Sequence, residues 1–330
     1  MTDKIVGRYR ILDRLGEGGV GTVYMAIDNR LGRIVALKFL RHRLLESPQT
    51  RCRFRREALI AAALNHPNIC TIYDIDEHRG RPYIVMEFLR GRPLSERFPG
   101  CFDTHSVLDV GLPLLHALAA AHARSVIHRD IKPANVFIVD NGHVKLLDFG
   151  VAKAAEFDEG HLRPDQTTNP GDDLDTGIGR FVGTVGYMSP EQARGETLDA
   201  RSDIFSLGTL LYEIATDEQP FVGSTQAAVF ERIFHADPPS LPCLNPALSP
   251  ALVRVIDKAL SKRRGARYQS AADMLVELEQ IRPPSQRRGP RTTRLASISE
   301  FRPILSEDIS STVLDRSLPR RTVRREIESS

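Results

Sequence analysis

The sequence predicts an α+β fold with two lobes, a small β-rich lobe followed by a larger helical one. The chain has 330 residues, 41% hydrophobic and 26% charged, which is an ordinary globular composition long enough for two lobes. From Tyr9 onwards the residues alternate as they do in strands, whereas the Leu- and Ala-rich stretch from Thr104 to Ser125 has helical periodicity. We therefore expect strands early in the chain and helices later.

A glycine-rich turn follows the first predicted strand. Gly16, Gly18 and Gly21 precede Val23, and the missing side chains would let the backbone approach phosphate groups closely. Turns that bind dinucleotides have the same spacing, but a helix must follow them, and Thr22 to Tyr24 has the composition of a strand. The sequence therefore favours a β-hairpin over the phosphates of a nucleotide.

Two charged residues lie in the elements that come next. Lys38 is the lysine of an apolar run over residues 34–40, and Glu57 lies in a stretch of helical composition over residues 49–65. Taken alone, Lys38 could be a solvated strand residue and Glu57 a solvated neighbour of the arginines beside it. A lysine that binds phosphate needs an anionic partner to fix its direction, and Glu57 is the candidate.

The polar run over residues 128–135 carries the strongest functional signal. It supplies the carboxylate of Asp130, the ammonium group of Lys132 and the amide of Asn135, and Asp148 follows at the start of Asp-Phe-Gly. A carboxylate that orients a hydroxyl, a cation for phosphate and oxygen ligands for magnesium are the groups that phosphoryl transfer requires. Two ordinary polar turns are the alternative, but the order, the spacing and the flanking strand-like runs argue against it.

Together these motifs resemble the protein kinase family. Two further segments, Ser189 to Gly195 and Arg201 to Gly208, are similar to those of bacterial eukaryotic-like Ser/Thr kinases, and the resemblance extends from about Tyr9 to Ile281. It implies the two-lobed protein kinase fold, with a small, mostly antiparallel β N-lobe containing one C-helix and a larger, mostly α-helical C-lobe. The expected boundaries are 1–88 for the N-lobe, 89–282 for the C-lobe and 283–330 for a basic, disordered tail.

The resemblance also implies the site residues and the cofactors, ATP and Mg²⁺. Lys38 would contact the α- and β-phosphates of ATP, paired with Glu57. Asp130 would orient the substrate hydroxyl and Lys132 would steady the γ-phosphate. The expected magnesium ligands are Asn135 and Asp148. The expected nucleotide-binding residues are Leu15, Gly16, Gly18, Gly21, Val23, Ala36, Lys38, Met86, Glu87, Leu89 and Phe137.

A long polar segment after Asp148 matches the family's activation segment. The family role of Arg129 is to pair with a phosphate on that segment, so that phosphorylation orders it. Thr184 lies in a pattern that, with Lys132, points to serine and threonine substrates. The candidate autophosphorylation sites are Thr167, Thr168 and Thr176.

Three further expectations concern packing. By family resemblance, Asp203 would brace the catalytic loop, and Glu191 would pair with Arg267. Ala61 lies four residues after Glu57, where the family usually has a bulky residue that packs against Phe149. We therefore expect low basal activity until phosphorylation, dimerisation or a bound partner stabilises the active arrangement.

The predicted function is that of a serine/threonine protein kinase, which transfers the ATP γ-phosphate to protein hydroxyls and phosphorylates itself. A pseudokinase scaffold and a small-molecule kinase are the alternatives. The expected partners are protein substrates and a second copy of the chain in an activating homodimer.

Charge, cysteine spacing and hydropathy indicate which partners, metal sites and cellular location to expect. The predicted tail has a net charge of +4 and the rest of the chain −1, so we expect no nucleic-acid partner. The four cysteines lack the short spacings of zinc or redox sites. We find no secretory signal and no apolar run long enough to span a membrane, and we expect a cytoplasmic protein.

Overall fold

The computed structural model describes residues 5–18, 21–40, 48–96, 101–149 and 185–282. The predicted tail lies outside these residues, and its boundary stays a prediction. None of the helices in the described ranges combines the length and hydrophobicity that a membrane crossing requires.

An antiparallel sheet of six strands forms the amino-terminal part, in the order β1-β2-β3-β4-β6-β5. The glycine-rich turn connects β2 and β3, and Glu17 pairs with Thr22 across it. The predicted hairpin is therefore confirmed, and the dinucleotide-binding alternative is wrong because a strand follows the glycines. The strands are β1 (Ile5–Val6), β2 (Tyr9–Glu17), β3 (Gly21–Asp28), β4 (Arg33–Leu40), β5 (Ile72–His78) and β6 (Arg81–Glu87).

Helix α1 (Pro48–Ala62) follows β4 and carries Glu57. Its buried side chains recur at helical spacing, at Phe54, Ala58 and Ala61, and join the main hydrophobic core. The helix ends three residues before its predicted end, but the amides of the next two residues still bond to carbonyls of its last turn.

The carboxy-terminal part is mostly helical. Helix α2 (Thr104–His122) begins at Asp103, whose side chain accepts a hydrogen bond from the Ser106 amide, and its apolar residues are almost all buried. Helix α4 (Ala200–Thr216) is buried along most of its length. The other helices are α3 (Pro190–Ala193), α5 (Gln226–His235), α6 (Leu241–Leu244), α7 (Pro250–Ala259) and α8 (Ala271–Ile281).

A second sheet has three short antiparallel strands, one before α2 in the chain and two after it. It consists of β7 (Gly91–Pro93), β8 (Val136–Val139) and β9 (Val144–Leu146). The run that contains Asp130 precedes β8, after a short 3₁₀ turn at Pro133–Asn135, and Asp148 follows β9. The two strands therefore bring both predicted motifs to one end of the small sheet, and the two-lobed α+β prediction is confirmed.

Candidate active site

Asp203, a fully buried residue of α4, binds the main chain of the catalytic loop. Its carboxylate accepts hydrogen bonds from the backbone amides of His128 and Arg129, both at 2.8 Å, and lies 2.8 Å from His122 Nε2. Arg129 has a φ of 67°, a conformation that non-glycine residues seldom adopt, so these bonds stabilise an otherwise unfavourable backbone. The predicted bracing role of Asp203 is confirmed.

His128 connects the catalytic loop to the segment that carries Asp148. Its Nδ1 accepts the backbone amide of Asp130 at 3.2 Å, so Nε2 must carry the proton that it donates to the Leu147 carbonyl at 2.8 Å. Burial lowers the pKa of His128, which agrees with this neutral form. Its ring also lies 4.7 Å from that of Phe149.

The structure brings three predicted catalytic-loop residues together around one carboxylate. Lys132 Nζ lies 2.9 Å from Asp130 Oδ2. The amide nitrogen of Asn135 donates to the same Oδ2 at 2.9 Å and to the Asp130 carbonyl at 2.7 Å. The Asp130 carboxylate is therefore fixed in direction by two neighbours, as a group that orients a substrate hydroxyl must be.

The two predicted metal ligands, Asn135 and Asp148, lie close together in space. The amide of Leu147, the residue before Asp148, donates to the Asn135 carbonyl at 2.8 Å. Asn135 directs its NH₂ group at Asp130, so its amide oxygen is the atom suited to a cation. Asp148 adds a carboxylate. Magnesium commonly takes one or two such protein oxygens and completes its shell with phosphate and water, so this donor set fits Mg²⁺.

The ion pairs of Lys38 and Glu57 differ from the prediction. Lys38 Nζ lies 2.6 Å from Asp148 Oδ2, whereas Glu57 Oε1 lies 3.3 Å from Arg129 Nη1. The expected pairing of Lys38 with Glu57 is therefore wrong for this structure. The physical reason is that two cations and two carboxylates in one site can pair in two ways, and residue identity does not choose between them.

A small cavity lies beside Ala61, where the sequence predicts missing bulk. Its volume is about 20 Å³, enough for one water molecule. Its wall includes Phe149, the ring that the absent side chain would contact. The complete lining is Ala61, Cys70, Ile72, Ile84, Met86, Asp148 and Phe149.

Four of the predicted nucleotide-binding residues share one face of the large sheet. Val23 lies opposite Lys38, and Ala36 lies opposite Met86, in the strand register. Because cross-strand partners and residues two apart point to the same side, all four side chains lie on one face. This face begins a surface on which a nucleotide could lie.

The three predicted loop glycines are not equivalent. A Cβ added at Gly16 or Gly18 meets no described atom within 4 Å, so these positions border open space. A Cβ at Gly21 would lie 1.9 Å from the carbonyl oxygen of Phe39. Gly21 is thus explained by the close approach of β4, a reason that the sequence analysis missed.

The remaining predicted nucleotide-binding residues do not belong to this face. Leu15 is 46% exposed near the end of β2. Glu87 is the last residue of β6, and half-buried Leu89 follows it before β7. Phe137 is half-buried in β8 of the small sheet.

Glu191 and Arg267 form a buried bidentate ion pair, as predicted. The two hydrogen bonds measure 2.7 and 3.0 Å, and Ser202 donates a third to the same carboxylate at 2.7 Å. Burial alone would raise the pKa of Glu191, but the bonds from Arg267 and Ser202 outweigh it and hold the pKa below its ordinary value. The pair fixes α3 against the helical lobe.

Gln192 is a contact residue that the sequence analysis missed. Its side-chain nitrogen donates to the Arg129 carbonyl at 2.8 Å, and its side-chain oxygen accepts the Ser189 amide at 3.0 Å. Ser189 in turn caps α3 by accepting the Gln192 amide. The signal was present in the spacing Ser-x-x-Gln, which is typical of a capping box.

The candidate phosphorylation sites Thr167, Thr168 and Thr176, and also Thr184, lie outside the described residues.

Comparison with known proteins agrees with this geometry. The family described as "Protein kinase domain" matches residues 9–277. The chain belongs to this family. Among its relatives are the probable serine/threonine-protein kinase SCO3848 of Streptomyces coelicolor, 41% identical over 84% of this chain, and the serine/threonine-protein kinase PknB of Mycolicibacterium smegmatis, 41% identical over 83% of it. The predicted relationship to bacterial eukaryotic-like Ser/Thr kinases is confirmed.

Solved structures show the same fold. The kinase domain of Mycobacterium tuberculosis PknI superposes with a TM-score of 0.65 at 24% identity, covering 86% of this chain and 99% of that one. The chain spans less than half the length of the two curated relatives, 40% of the first and 43% of the second.

Proposed function

We propose that the chain is an ATP-dependent serine/threonine protein kinase. The observation that carries the proposal is the cluster of Lys132 and Asn135 around the Asp130 carboxylate, at 2.9 Å each. A carboxylate held beside a cation and an amide is suited to orient a hydroxyl toward a phosphoryl group. The names of the relatives support serine and threonine as acceptors.

The residues of the site have distinct tasks in this reaction. Asp130 accepts a hydrogen bond from the substrate hydroxyl and takes its proton as the new phosphate ester forms and the bond between the γ-phosphorus and the oxygen of the departing ADP breaks. Lys132 neutralises negative charge on the transferring group, and Lys38 does so on the α- and β-phosphates. Asn135 and Asp148 would hold Mg²⁺, which supplies charge neutralisation between the phosphates when it is bound.

The adenine end of the nucleotide would lie against the shared sheet face. Ala36, Val23 and Phe137 offer apolar contacts to the ring, and the main chain of Glu87 and Leu89 offers hydrogen bonds to its edge. Gly16 and Gly18 border open space, so their backbone can approach phosphate oxygens without a side chain intervening.

The ion pairs support a resting state that must rearrange before transfer. Asp148 is engaged by Lys38, and Glu57 by Arg129. For Asp148 to serve a metal and Lys38 to serve phosphates, Lys38 must exchange Asp148 for Glu57. A phosphate added at Thr167, Thr168 or Thr176 would compete with Glu57 for Arg129 and favour the exchange.

A pseudokinase scaffold is disfavoured because Lys38, Asp130, Asn135 and Asp148 are all present. A small-molecule kinase is disfavoured by the similarity to protein kinases over most of the chain. Activation through a homodimer and a cytoplasmic location stay predictions.

Phosphoryl transfer from radiolabelled ATP with Mg²⁺ tests the proposal. We expect label on a generic protein substrate and on the chain itself, and acid hydrolysis should release phosphoserine and phosphothreonine. Label on neither protein would contradict the proposed activity, and label confined to phosphotyrosine would contradict the acceptor class.

A further inference from the structure

A buried ion pair joins the two sheets of the protein. Lys145 Nζ lies 2.6 Å from Glu87 Oε1, and the two side chains are only 15% and 17% exposed. Glu87 is the last residue of β6 in the six-stranded sheet, and Lys145 is the middle residue of β9 in the three-stranded sheet. Neither side chain has a role in the chemistry proposed above, which used only the Glu87 main chain.

The Glu87 carboxylate is fixed by the backbone as well as by Lys145. Its Oε1 accepts the amide of Thr71 at 2.7 Å, while the Glu87 amide donates to the Thr71 carbonyl at 2.9 Å. Lys145 Nζ also lies 3.4 Å from the carbonyl of Ile69. The residue whose main chain is proposed to bind adenine is therefore tied to one segment through both its backbone and its side chain.

The same segment is bonded to β9 on its other side. The Asn68 side chain donates to the Val144 carbonyl at 2.8 Å, and the Leu146 amide donates to the Asn68 carbonyl at 2.8 Å. The Cys70 amide donates to the Leu146 carbonyl at 2.9 Å. Strand β9 ends two residues before Asp148, so these hydrogen bonds and the main chain between them connect Glu87 to the proposed metal ligand.

The strand register adds a third connection. Lys145 lies directly opposite Phe137 of β8, the residue proposed to contact the adenine ring. Strand β8 carries Phe137, and its partner β9 carries Lys145, which binds Glu87. The Lys145–Glu87 ion pair therefore links two parts of the proposed adenine site, one from each sheet.

We propose that Lys145 is a positioning residue for the nucleotide, which acts through the Glu87 carboxylate. By holding the end of β6 against β9, it fixes the main chain that binds adenine relative to Phe137 and Asp148. Because the pair is largely buried, salt screens it weakly. Without Lys145, the carboxylate would keep only its bond from Thr71 and would turn toward solvent. The proposal rests on the proposed function, because it concerns the same nucleotide site.

Nucleotide binding by variants of the full chain tests this role. The variants are Lys145→Met, Lys145→Arg and Glu87→Gln, and the control is Lys258→Met, which breaks a more exposed Lys–Glu pair with Glu277 in the helical lobe. The probe is the fluorescent N-methylanthraniloyl derivative of ATP, and the kcat and KM for ATP are measured beside its Kd. We expect Lys145→Met and Glu87→Gln to raise Kd and KM at least about 5-fold, the low end of common coupling effects, with a smaller change in kcat.

Two further comparisons separate positioning from general stability. Lys145→Arg should restore binding to within about 2-fold of wild type, because it keeps the charge, and Lys258→Met should leave Kd unchanged. A protein with both Lys145→Met and Glu87→Gln should bind the probe no more weakly than the weaker-binding single variant, because both changes remove the same contact. If Lys145→Met does not fold, Glu87→Gln and Lys145→Arg carry the test.

Wild-type affinity in Lys145→Met or Glu87→Gln would overturn the positioning role, as would equal weakening by Lys258→Met. Those results differ from a failure of the proposed function, in which wild type itself would neither bind the probe nor transfer phosphate.

Discussion

Arg129 of the catalytic loop is bonded to Glu57 of helix α1, with 3.3 Å between Nη1 and Oε1. Both side chains are about one-third exposed or less. Since Lys38 is bonded to Asp148 at 2.6 Å, the site contains two ion pairs, one between Lys38 and Asp148 and one between Arg129 and Glu57. Under the proposed function, both pairs break when the site rearranges for phosphoryl transfer.

Arg129→Gln should remove most of the difference between phosphorylated and unphosphorylated protein. The substitution removes the contact of Arg129 with Glu57 in the unphosphorylated form, and it also removes the cation that a phosphate would bind. We expect the ratio of the two rates to fall toward one, measured on protein treated with phosphatase and on autophosphorylated protein. An activation ratio equal to that of wild type would show that Arg129 does not couple phosphorylation to Glu57.

Ala61→Val should raise the basal rate of the unphosphorylated protein. The cavity of about 20 Å³ beside Phe149 has room for little more than one extra methyl group, so a modest increase in size fits where a larger one would overpack. Val has two more carbon atoms than Ala, and each one buried contributes about 0.8 kcal/mol, so the rate should rise roughly 4-fold if the cavity accommodates one of them and roughly 15-fold if it accommodates both. Steady-state kinetics measures the rate, and Ala61→Gly, which enlarges the cavity, should lower it. Equal rates in the wild type and both variants would show that the cavity does not control the basal rate.

Arg267→Met should destabilise the helical lobe. The side chains of Arg267 and Glu191 are 0% and 2% exposed, so the substitution removes the bidentate partner of a buried carboxylate and leaves it beside the more distant Arg264, whose Nε lies 3.7 Å from Oε2. The expected loss is about 3–5 kcal/mol in the free energy of unfolding, measured by urea denaturation.

The same carboxylate gives a pH dependence with a defined sign. The pKa of Glu191 is lowered in the folded state, so its contribution to stability is complete above the unfolded value, near pH 4.3, and is lost as the pH falls through the folded value. Glu191→Gln should flatten the acid side of the stability profile. An unchanged acid slope would mean that another group controls it.

His128 gives a second pH dependence, at higher pH. Burial lowers its pKa in the folded protein, so the unfolded chain binds a proton more readily. Its contribution to stability is complete above the unfolded pKa, about 6.5, and declines as the pH falls from there toward the lowered folded pKa. We expect the unfolding free energy to fall between pH 7 and pH 5.5, and His128→Gln, which cannot titrate, should reduce that slope. A steeper slope in the variant would be contrary to this assignment.

Much of the site could be predicted from the sequence because its parts are local. Asp130, Lys132 and Asn135 lie within one short loop, so their spacing largely determines that they meet. The Glu191–Arg267 pair could be predicted only through family resemblance, since the two residues are far apart in the chain.

The pairing of Lys38, Glu57, Arg129 and Asp148 could not be predicted in the same way. Long charged side chains reach several partners, and the choice depends on small differences in position that residue identity does not encode. The packing of Gly21 against Phe39 and the ion pair of Lys145 were not predicted, for a related reason. The contact of Gly21 with Phe39 and that of Lys145 with Glu87 both depend on strand register, and single residues in a strand pattern give no sign of it.

The most direct test of the central claim is the effect of Asp130→Asn on phosphoryl transfer. The substitution keeps the size of the side chain and removes its charge, and Asp140→Asn in the exposed turn after β8 is the matched control. We expect single-turnover transfer to a protein substrate to slow at least about 100-fold in Asp130→Asn and to stay unchanged in Asp140→Asn. Transfer by Asp130→Asn at the wild-type rate would contradict the assignment of this loop as the catalytic centre.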